Sequence, residues 1–570
     1  MFGDISNKTE GTKMESTITR RNFIKTSALT GLGFIVGCTV KNRFDIIIRN
    51  GNILNGLGTP AARLDIGIKS DKIASIDDLS SSSADIFVDA KDLIVAPGFI
   101  DIHTHTDTEL LVNPKAESKI RQGITTEVSG NCGYSPFPLN REDRKELNEK
   151  LVEQYDIEVT WNNIDGFFKA IESSKTSINY MSFSGHGNLR AYVVGKNDVT
   201  PTKDQMDEMK RILAQSMEFG SLGLSTGLEY APGSYAKTEE LIELCKVVSQ
   251  HNGIYATHIR NEDDTVEEAI EEALRICTEA NVSLQISHLK ACNRANWHKV
   301  DHMLEIIHNA ADKGLPVLAD RYPYSAWGTG LTSFLPLWTR QGGTEEILAR
   351  LKEKKYEAEI SKYSEERGKR IGGWNRVVIS SCYSKKNKKW EGKSIQSCSE
   401  ITGKEPCIFI RELLIEERNR VGVIGFAMDE DNLKKILAFP LITIGSDGSA
   451  VAPYGKLAEG KPHPRYYGTF PRILGKYCRE ERIFDLPTAI KKMTSMSAKK
   501  LGISKRGILK KGYFADITIF NPKTIIDNAT YTNPHQYPTG IKYVIVNGKL
   551  TIKKGKHTGE LKGEVLRHYG

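Results

Sequence analysis

The sequence predicts an α/β protein built from parallel βα units, with a small β domain assembled from both chain ends. Three observations carry this. Between about 97 and 500, short apolar runs such as YATHI, LQISHLK and FPLITIGSDG alternate with helical patterns at about 30 residues per unit. Such alternation yields a barrel or an open parallel sheet. The flanks, 44–76 and 513–550, instead hold β-type runs broken by Asn-Gly and other glycine turns, the texture of antiparallel strands. With 570 residues the chain is also long enough for more than one unit.

At the amino end, TRRNFIK (19–25), the mild apolar run TSALTGLGFIVG and Cys38 resemble a twin-arginine export signal closed by a lipoprotein cleavage box. The apolar run is too short and glycine-rich for a good membrane span. Residues 1–38 are therefore read as a signal, Met14 as a possible natural start, and Cys38 as the lipidation site of an exported protein, periplasmic or membrane-anchored. The membrane is met only through that anchor. Eight further cysteines show no paired metal spacing and no short disulfide framework, so they read as buried thiols with at most one or two bridges.

Residues 44–96 begin the small β unit and 505–560 complete it, enclosing a central domain at 97–504. At about 330–430 the βα rhythm breaks into charged, helix-prone sequence (EEILARLKEKKYEAEISKYSEERGKR), expected to be a helical insertion on a βα loop that covers the mouth of a site. Net charge is only +8, from 79 Lys and Arg against 71 Asp and Glu. The short basic runs KEKK (352–355) and KKNKK (385–389) have no recognition motif beside them. They read as solvated surface, and no nucleic-acid partner is expected.

GFIDIHTHTD (98–107) places His103 and His105 on one face at the end of a buried strand, since side chains alternate along a strand. Alone, the pair is either packed and hydrogen-bonded or shares a metal. The same placement recurs. His258 in GIYATHIRNE and His288 in SLQISHLKAC close apolar runs thirty positions apart, one βα unit. Cys132 in EVSGNCG and Asp447 in ITIGSDG follow β-type runs into glycine turns. Strand ends of parallel units open on one face, so five metal-binding groups and one carboxylate converge there. Thiolate with imidazole suits zinc, which acidifies bound water, while a neighbouring carboxylate moves the proton. This is machinery for hydrolysing an amide or related C–N bond.

These residues, with SGHGNLR (184–190), GLSTGLEYAPG (223–233), DRYPY (320–324), WEGKSI (390–395) and HPRYYGTFPRILG (463–475), resemble the amidohydrolase superfamily and, within it, the D-aminoacylase (N-acyl-D-amino-acid deacylase) family. The resemblance implies a TIM-like (β/α)8 barrel beside a small β-sandwich from both chain ends. Cys132, His258 and His288 match its tight zinc ligands. His103 and His105 match a second, weaker metal position that Cys132 can bridge, and Asp447 matches the catalytic acid/base. Lys290, Tyr230, Tyr322, Tyr324 and Arg465 fall in motifs near the substrate, where Arg465 and Lys290 suit a free α-carboxylate. His186 is read as supporting the site or lining its mouth. Where dihydroorotase and hydantoinase relatives carry a carbamylated lysine, this chain offers Cys132, which favours linear acyl-amino acids. The expected partner is a small N-acyl amino acid. Alternatives are a dipeptide or cyclic amide hydrolysed at the same centre, or a lipoprotein that binds without turnover; neither D-preference nor oligomeric state follows from the residues themselves.

Overall fold

The computed structural model describes residues 43–569. The twin-arginine motif and Cys38 lie outside the described residues. Among the described residues no helix is long and apolar enough to cross a membrane. All eight described cysteines are free thiols, so none of the bridges allowed by the sequence is present among them.

Eight parallel strands form the centre: β1 (Phe99–Asp101), β2 (Ile124–Ser129), β3 (Asn179–Ser182), β4 (Gly223–Gly227), β5 (Ile254–His258), β6 (Ser283–Ile286), β7 (Val317–Arg321) and β8 (Ile442–Ile444). Each pairs in parallel with the next, β3 reaching β4 through its continuation Ser184–Gly185. A parallel bridge between Thr104 and Gly448 joins the ends of β1 and β8 and closes the ring. The structure is therefore a barrel, the closed form of the two that alternation allows. Strands such as IYATH are buried throughout, as parallel strands covered on both faces must be. The helices outside present one apolar stripe each. In Val266–Ala280 the buried residues Val266, Ala269, Ile270, Ala273, Ile276, Cys277 and Ala280 follow the i, i+3/i+4 spacing.

Both chain ends build one nine-stranded sheet, in which Arg43–Ile53 pairs with three neighbours and Ile517–Phe520 adds to Ile94–Pro97. Asn547-Gly548 makes the expected tight hairpin, both residues at positive φ. Asn50-Gly51 differs. It is a bulge inside Arg43–Ile53 rather than a turn, because Asn50 adopts the left-handed conformation and the strand continues past it. Phe99 at the start of β1 stacks on Phe470 at 5.7 Å and tilts against Phe520 at 6.2 Å, so the barrel and the end sheet share one core. Past the last strand the chain returns to the barrel, where Leu566 N–H donates to Tyr180 O and His568 N–H to Gly220 O.

The insertion lies between β7 and β8, as expected, but it is not purely helical. Strands Trp327–Gly330, Val377–Cys382 and Val421–Gly425 form an antiparallel sheet among helices Thr344–Lys352, Glu357–Arg370, Ile395–Thr402 and Pro406–Glu416. These strands are short, and glycine occurs at 328, 330, 422 and 425, so they give little β-type signal beside the charged helices. The insertion has its own apolar core, including Trp374, Trp390 and Phe409.

One buried cation underlies β8. Lys492 donates to the carbonyls of Phe439 and Ile442, and burial, helped by nearby Lys491, lowers its ammonium to about 7. In the unfolded chain a lysine titrates near ~10.4. Between these values the unfolded state binds the extra proton, so this group's contribution to stability rises with pH. Wild-type melting temperature should therefore gain more between pH 7 and 10 than that of Lys492→Met, measured side by side by calorimetry; parallel pH profiles would refute this.

Candidate metal centre

All six residues identified at strand ends meet at the carboxyl end of the barrel, in three overlapping groups. Cys132 Sγ lies 3.4 Å from both His103 Nε2 and His288 Nε2. His103 and His105 converge on Asp447, whose Oδ1 is 3.6 Å from His103 Nε2 and 3.0 Å from His105 Nε2. His258 packs edge-on against His288 with ring centroids 4.7 Å apart, and its Nε2 is 3.8 Å from both Glu262 and Glu229. The expected triple of Cys132, His258 and His288 is thus divided here, with His288 shared between the Cys132 group and the His258 group.

The backbone is bent to achieve this. Cys132, His288 and Asp447 have φ of 51°, 36° and 50°, left-handed values that cost a non-glycine residue free energy and cluster where function demands them. Glycines make room for the bends. A Cβ on Gly227 would stand 2.1 Å from Cys132 O, and one on Gly445 2.6 Å from His103 Cβ. Below Asp447, buried Lys119 donates to Asp101 (3.0 Å), Ser446 Oγ (2.6 Å) and Gly448 O (2.8 Å), while Asp101 accepts from Ser446 N–H.

Two carboxylates that the sequence reading did not single out fix the imidazoles facing Cys132. Asp320 Oδ1 is 3.0 Å from His103 Nδ1 and also accepts from His288 N–H, and Glu262 Oε1 is 3.0 Å from His288 Nδ1. At His103 the carboxylate holds the proton on Nδ1 and leaves Nε2 as the free ligand atom, whereas His288 Nδ1 has both Glu262 and the Lys290 ammonium beside it. Burial opposes charge throughout the cluster. For Cys132 it is outweighed by the His103 and His288 imidazoles, which hold the thiol well below its ordinary range. For Asp447 it is outweighed by Arg465, then by His105, and the carboxyl stays well below the usual carboxylate range.

The donor set fits a divalent metal. Both ring nitrogens of His258 are buried without a hydrogen-bond partner among the described residues, a costly state for an imidazole that a metal bond relieves. Half-buried Cys132 with imidazoles and Asp447 is a sulfur, nitrogen and oxygen set of the zinc kind.

The substrate-side expectations divide. Tyr230 packs edge-on against His258 at 4.8 Å and lines the site. Tyr322 is fully buried, its hydroxyl without a hydrogen-bond partner among the described residues, and its ring lies 4.7 Å below the Arg465 guanidinium. Arg465 Nη1 pairs with Asp447 Oδ2 at 2.9 Å. Lys290, expected to suit a free carboxylate, is already committed, its ammonium paired with Glu262 and 2.7 Å from His288 Nδ1. Tyr324 does not line the site. Its hydroxyl donates to Asp527 at 3.1 Å, tying the barrel to the carboxyl-terminal segment. His186 pairs with Glu240 at 2.9 Å beside Arg190 and stands outside the cluster.

Two spaces adjoin the centre. An outer cleft of about 700 Å³ runs from His105, Cys132 and Asp447 to the rim residues Asp143, Lys196 and Arg340. An inner cavity of about 70 Å³ reaches past His258 and His288 under the insertion, which contributes Trp327, Phe334, Arg367 and Ile371. Arg367 and Arg370 pair with Asp263 and Asp264 at 2.8 and 2.7 Å, fastening the insertion over the loop after β5.

The amidohydrolase family profile matches residues 87–367 and 410–552. The chain is 35% identical to D-aminoacylase of Alcaligenes xylosoxydans xylosoxydans over 525 residues, 92% of this chain and 97% of the relative. Among solved structures, N-acyl-D-glutamate deacylase of Bordetella bronchiseptica, complexed with zinc and a phosphonate mimic of the tetrahedral intermediate, matches with a TM-score of 0.79. That match has 31% identity and covers 92% of this chain and 100% of the other. A D-aminoacylase with a binuclear metal centre, described as activated by one metal and attenuated by the second, matches with a TM-score of 0.78 at 33% identity over the same shares.

Gly227→Ala should push its methyl into the Cys132 carbonyl and displace the loop that carries the thiol. Metal bound per chain, read by plasma mass spectrometry after dialysis, is expected to fall several-fold in a chain that keeps its far-ultraviolet circular dichroism. Full metal content would show that the contact does not position Cys132.

Proposed function

The chain belongs to the amidohydrolase family and is a metal-dependent amidohydrolase, and on that footing we propose that it hydrolyses N-acyl-D-amino acids with zinc at its centre. The observation that carries the reading is the position of Asp447. Its carboxylate bridges His105 and Arg465 where the outer cleft meets the Cys132 group. Handedness is supported by the relatives, which are D-aminoacylase and N-acyl-D-glutamate deacylase. Zinc is supported by the thiolate and imidazole donors and by the zinc in the Bordetella enzyme.

Cys132, His258 and His288 would hold the tight metal, and His103, His105 and Asp447 a second, weaker one. When bound, zinc polarises the acyl carbonyl and makes water a stronger acid. The chain's own groups supply the rest. The Tyr322 hydroxyl and the Arg465 guanidinium take the α-carboxylate, Arg465 as a planar fork. Asp447, kept ionised, accepts the proton of the attacking water on a carboxylate oxygen as the C–O bond forms, and delivers it to the leaving nitrogen as the C–N bond breaks. The products are a carboxylic acid and a free amino acid. Asp320 and Glu262 hold the His103 and His288 rings through the cycle.

Release of free amine from matched N-acetyl-D- and N-acetyl-L-amino acids is expected for the D series alone, lost on chelation and restored by zinc. Asp447→Asn should keep its tight metal while kcat falls by roughly 10²–10⁴-fold, whereas Cys132→Ala should lose the metal. Turnover of the L series, or an active Asp447→Asn, would overturn the corresponding assignment. The reading of Arg20-Arg21 and Cys38 as an export signal with a lipid anchor rests on sequence. It predicts that Cys38→Ser moves the protein from the membrane to the soluble fraction, and unchanged fractionation would remove the anchor.

A further inference from the structure

One strand of the insertion runs bare along the outer cleft. Trp327–Gly330 is the last strand of its three-stranded sheet and pairs on one side only, antiparallel to Val421–Gly425. An unpaired sheet edge presents alternate N–H and C=O groups to whatever lies beside it. Apart from that pairing, the one hydrogen bond to this backbone among the described residues comes from Arg465, whose Nη2 donates to Gly328 O at 3.5 Å. Gly328, Thr329 and Gly330 line the cleft, and Gly330 is exposed. Packing does not explain these two glycines. A Cβ at Gly328 would meet nothing nearer than 3.7 Å and one at Gly330 nothing nearer than 3.5 Å, ordinary contact distances, and neither residue has a left-handed φ. Gly425 in the partner strand differs, since its Cβ would stand 2.1 Å from the Trp327 ring. What Gly328 and Gly330 do is keep the edge clear of side-chain bulk.

The space beside the edge is far larger than a small acyl group needs. The outer cleft holds about 700 Å³, against roughly 30 Å³ for one water in the liquid. An acetyl group uses little of it. The walls are mixed, with Leu147 and Ile347 apolar, charges of both signs at the rim, and Asp143 paired with Lys196 at 2.9 Å. Such a lining selects neither a long alkyl chain nor one sign of charge. It suits a peptide, whose backbone adds to a sheet edge while its side chains alternate between the walls. The edge also begins in the right place. Arg465, which touches Gly328 O, is the group assigned above to the α-carboxylate, and His105, Cys132 and Asp447 line the same cleft. A peptide held by its terminal carboxylate at Arg465 puts its last amide at the centre and lays the preceding residues along Gly328–Gly330, at ~3.4 Å per residue.

We propose that the chain is a carboxypeptidase for peptides that end in a D-amino acid, the acyl part of its substrate being a peptide bound as an added strand on the free edge of Trp327–Gly330. This rests on the amide hydrolysis proposed above. Water adds its oxygen to the carbonyl carbon of the penultimate residue, the C–N bond to the D-residue breaks, and the leaving nitrogen takes its proton from Asp447. The products are a peptide shorter by one residue and a free D-amino acid, with no reactant besides water.

The test reads kcat/KM of the metal-loaded full chain for acetyl, octanoyl, acetyl-Ala and acetyl-Ala-Ala groups on one D-amino acid, whichever of D-methionine, D-glutamate and D-lysine is released fastest. Two backbone hydrogen bonds are worth roughly tenfold or more. Acetyl-Ala-Ala is therefore expected to exceed acetyl by that factor, with acetyl-Ala between them and octanoyl, which fills space without pairing, close to acetyl. In Gly330→Val, which puts a branched side chain on the edge, the ratio of acetyl-Ala-Ala to acetyl should fall by most of that factor. Both arms are read in one protein, so a smaller folded fraction leaves the ratio unchanged. Acetyl or octanoyl matching the peptide overturns the proposal and leaves the deacylase reading standing. A ratio that Gly330→Val does not change takes the peptide off this strand and overturns it as well. Release of free amine from none of the four ends the deacylase reading, and this proposal with it.

Discussion

The constraint on which the site depends is the crowding of a half-buried thiol against imidazoles at the barrel's carboxyl end. A thiolate in a water-poor barrel end is costly unless positive groups and hydrogen bonds surround it. Cys132 has two imidazole Nε2 atoms at 3.4 Å, which offset its charge when protonated and share a metal with it when neutral, and the far nitrogen of each is backed by a carboxylate. The arrangement needs side chains from β1, β2, β6 and β7 and from the loop after β5 within a few ångströms. Only a closed ring of parallel strands gathers those ends. Closure itself passes through the site, because the Thr104–Gly448 bridge lies beside His103, His105 and Asp447. Stability of the ring and readiness of the centre are thus one property.

Much of this was legible in the sequence, for a physical reason. A parallel strand covered on both faces is almost wholly apolar, so a histidine, cysteine or aspartate where the run stops is conspicuous. His103, His258, His288 and Asp447 stood out in that way. The end sheet was legible because antiparallel hairpins need Asn-Gly turns, as at Asn547-Gly548. The partners of the ligands were harder to see. His103 and Asp320 are 217 positions apart, and Glu262 meets His288 only after the loop following β5 folds back. The signal available was a lone acid inside the apolar run LPVLADRY, which holds Asp320. Tyr324 shows the opposite failure. Its motif lies beside the site, yet its hydroxyl points to Asp527, a residue no local pattern connects with it.

The insertion adds what the barrel alone lacks, a roof. Its sheet strand Trp327–Gly330 and its helix Glu357–Arg370 bring aromatic walls and Arg367 over the inner cavity, and the two ion pairs to the loop after β5 hold them there. Those pairs differ in exposure, Asp263 being buried and Asp264 half open. The inner pair is therefore the firmer, since an exposed pair contributes little once water and salt compete.

The shared sheet has a consequence in time. Ile94–Pro97, which leads directly into β1, has Ile517–Phe520 as its neighbour on one side, and Phe99 packs on Phe470 and Phe520. During synthesis the first barrel strand must wait for more than four hundred later residues before its own support exists. Contacts of such sequence separation make folding slow, and they leave β-edges uncovered meanwhile. A ribosome making this chain therefore carries an unfinished barrel until residues 470–520 have emerged to cover its first strand.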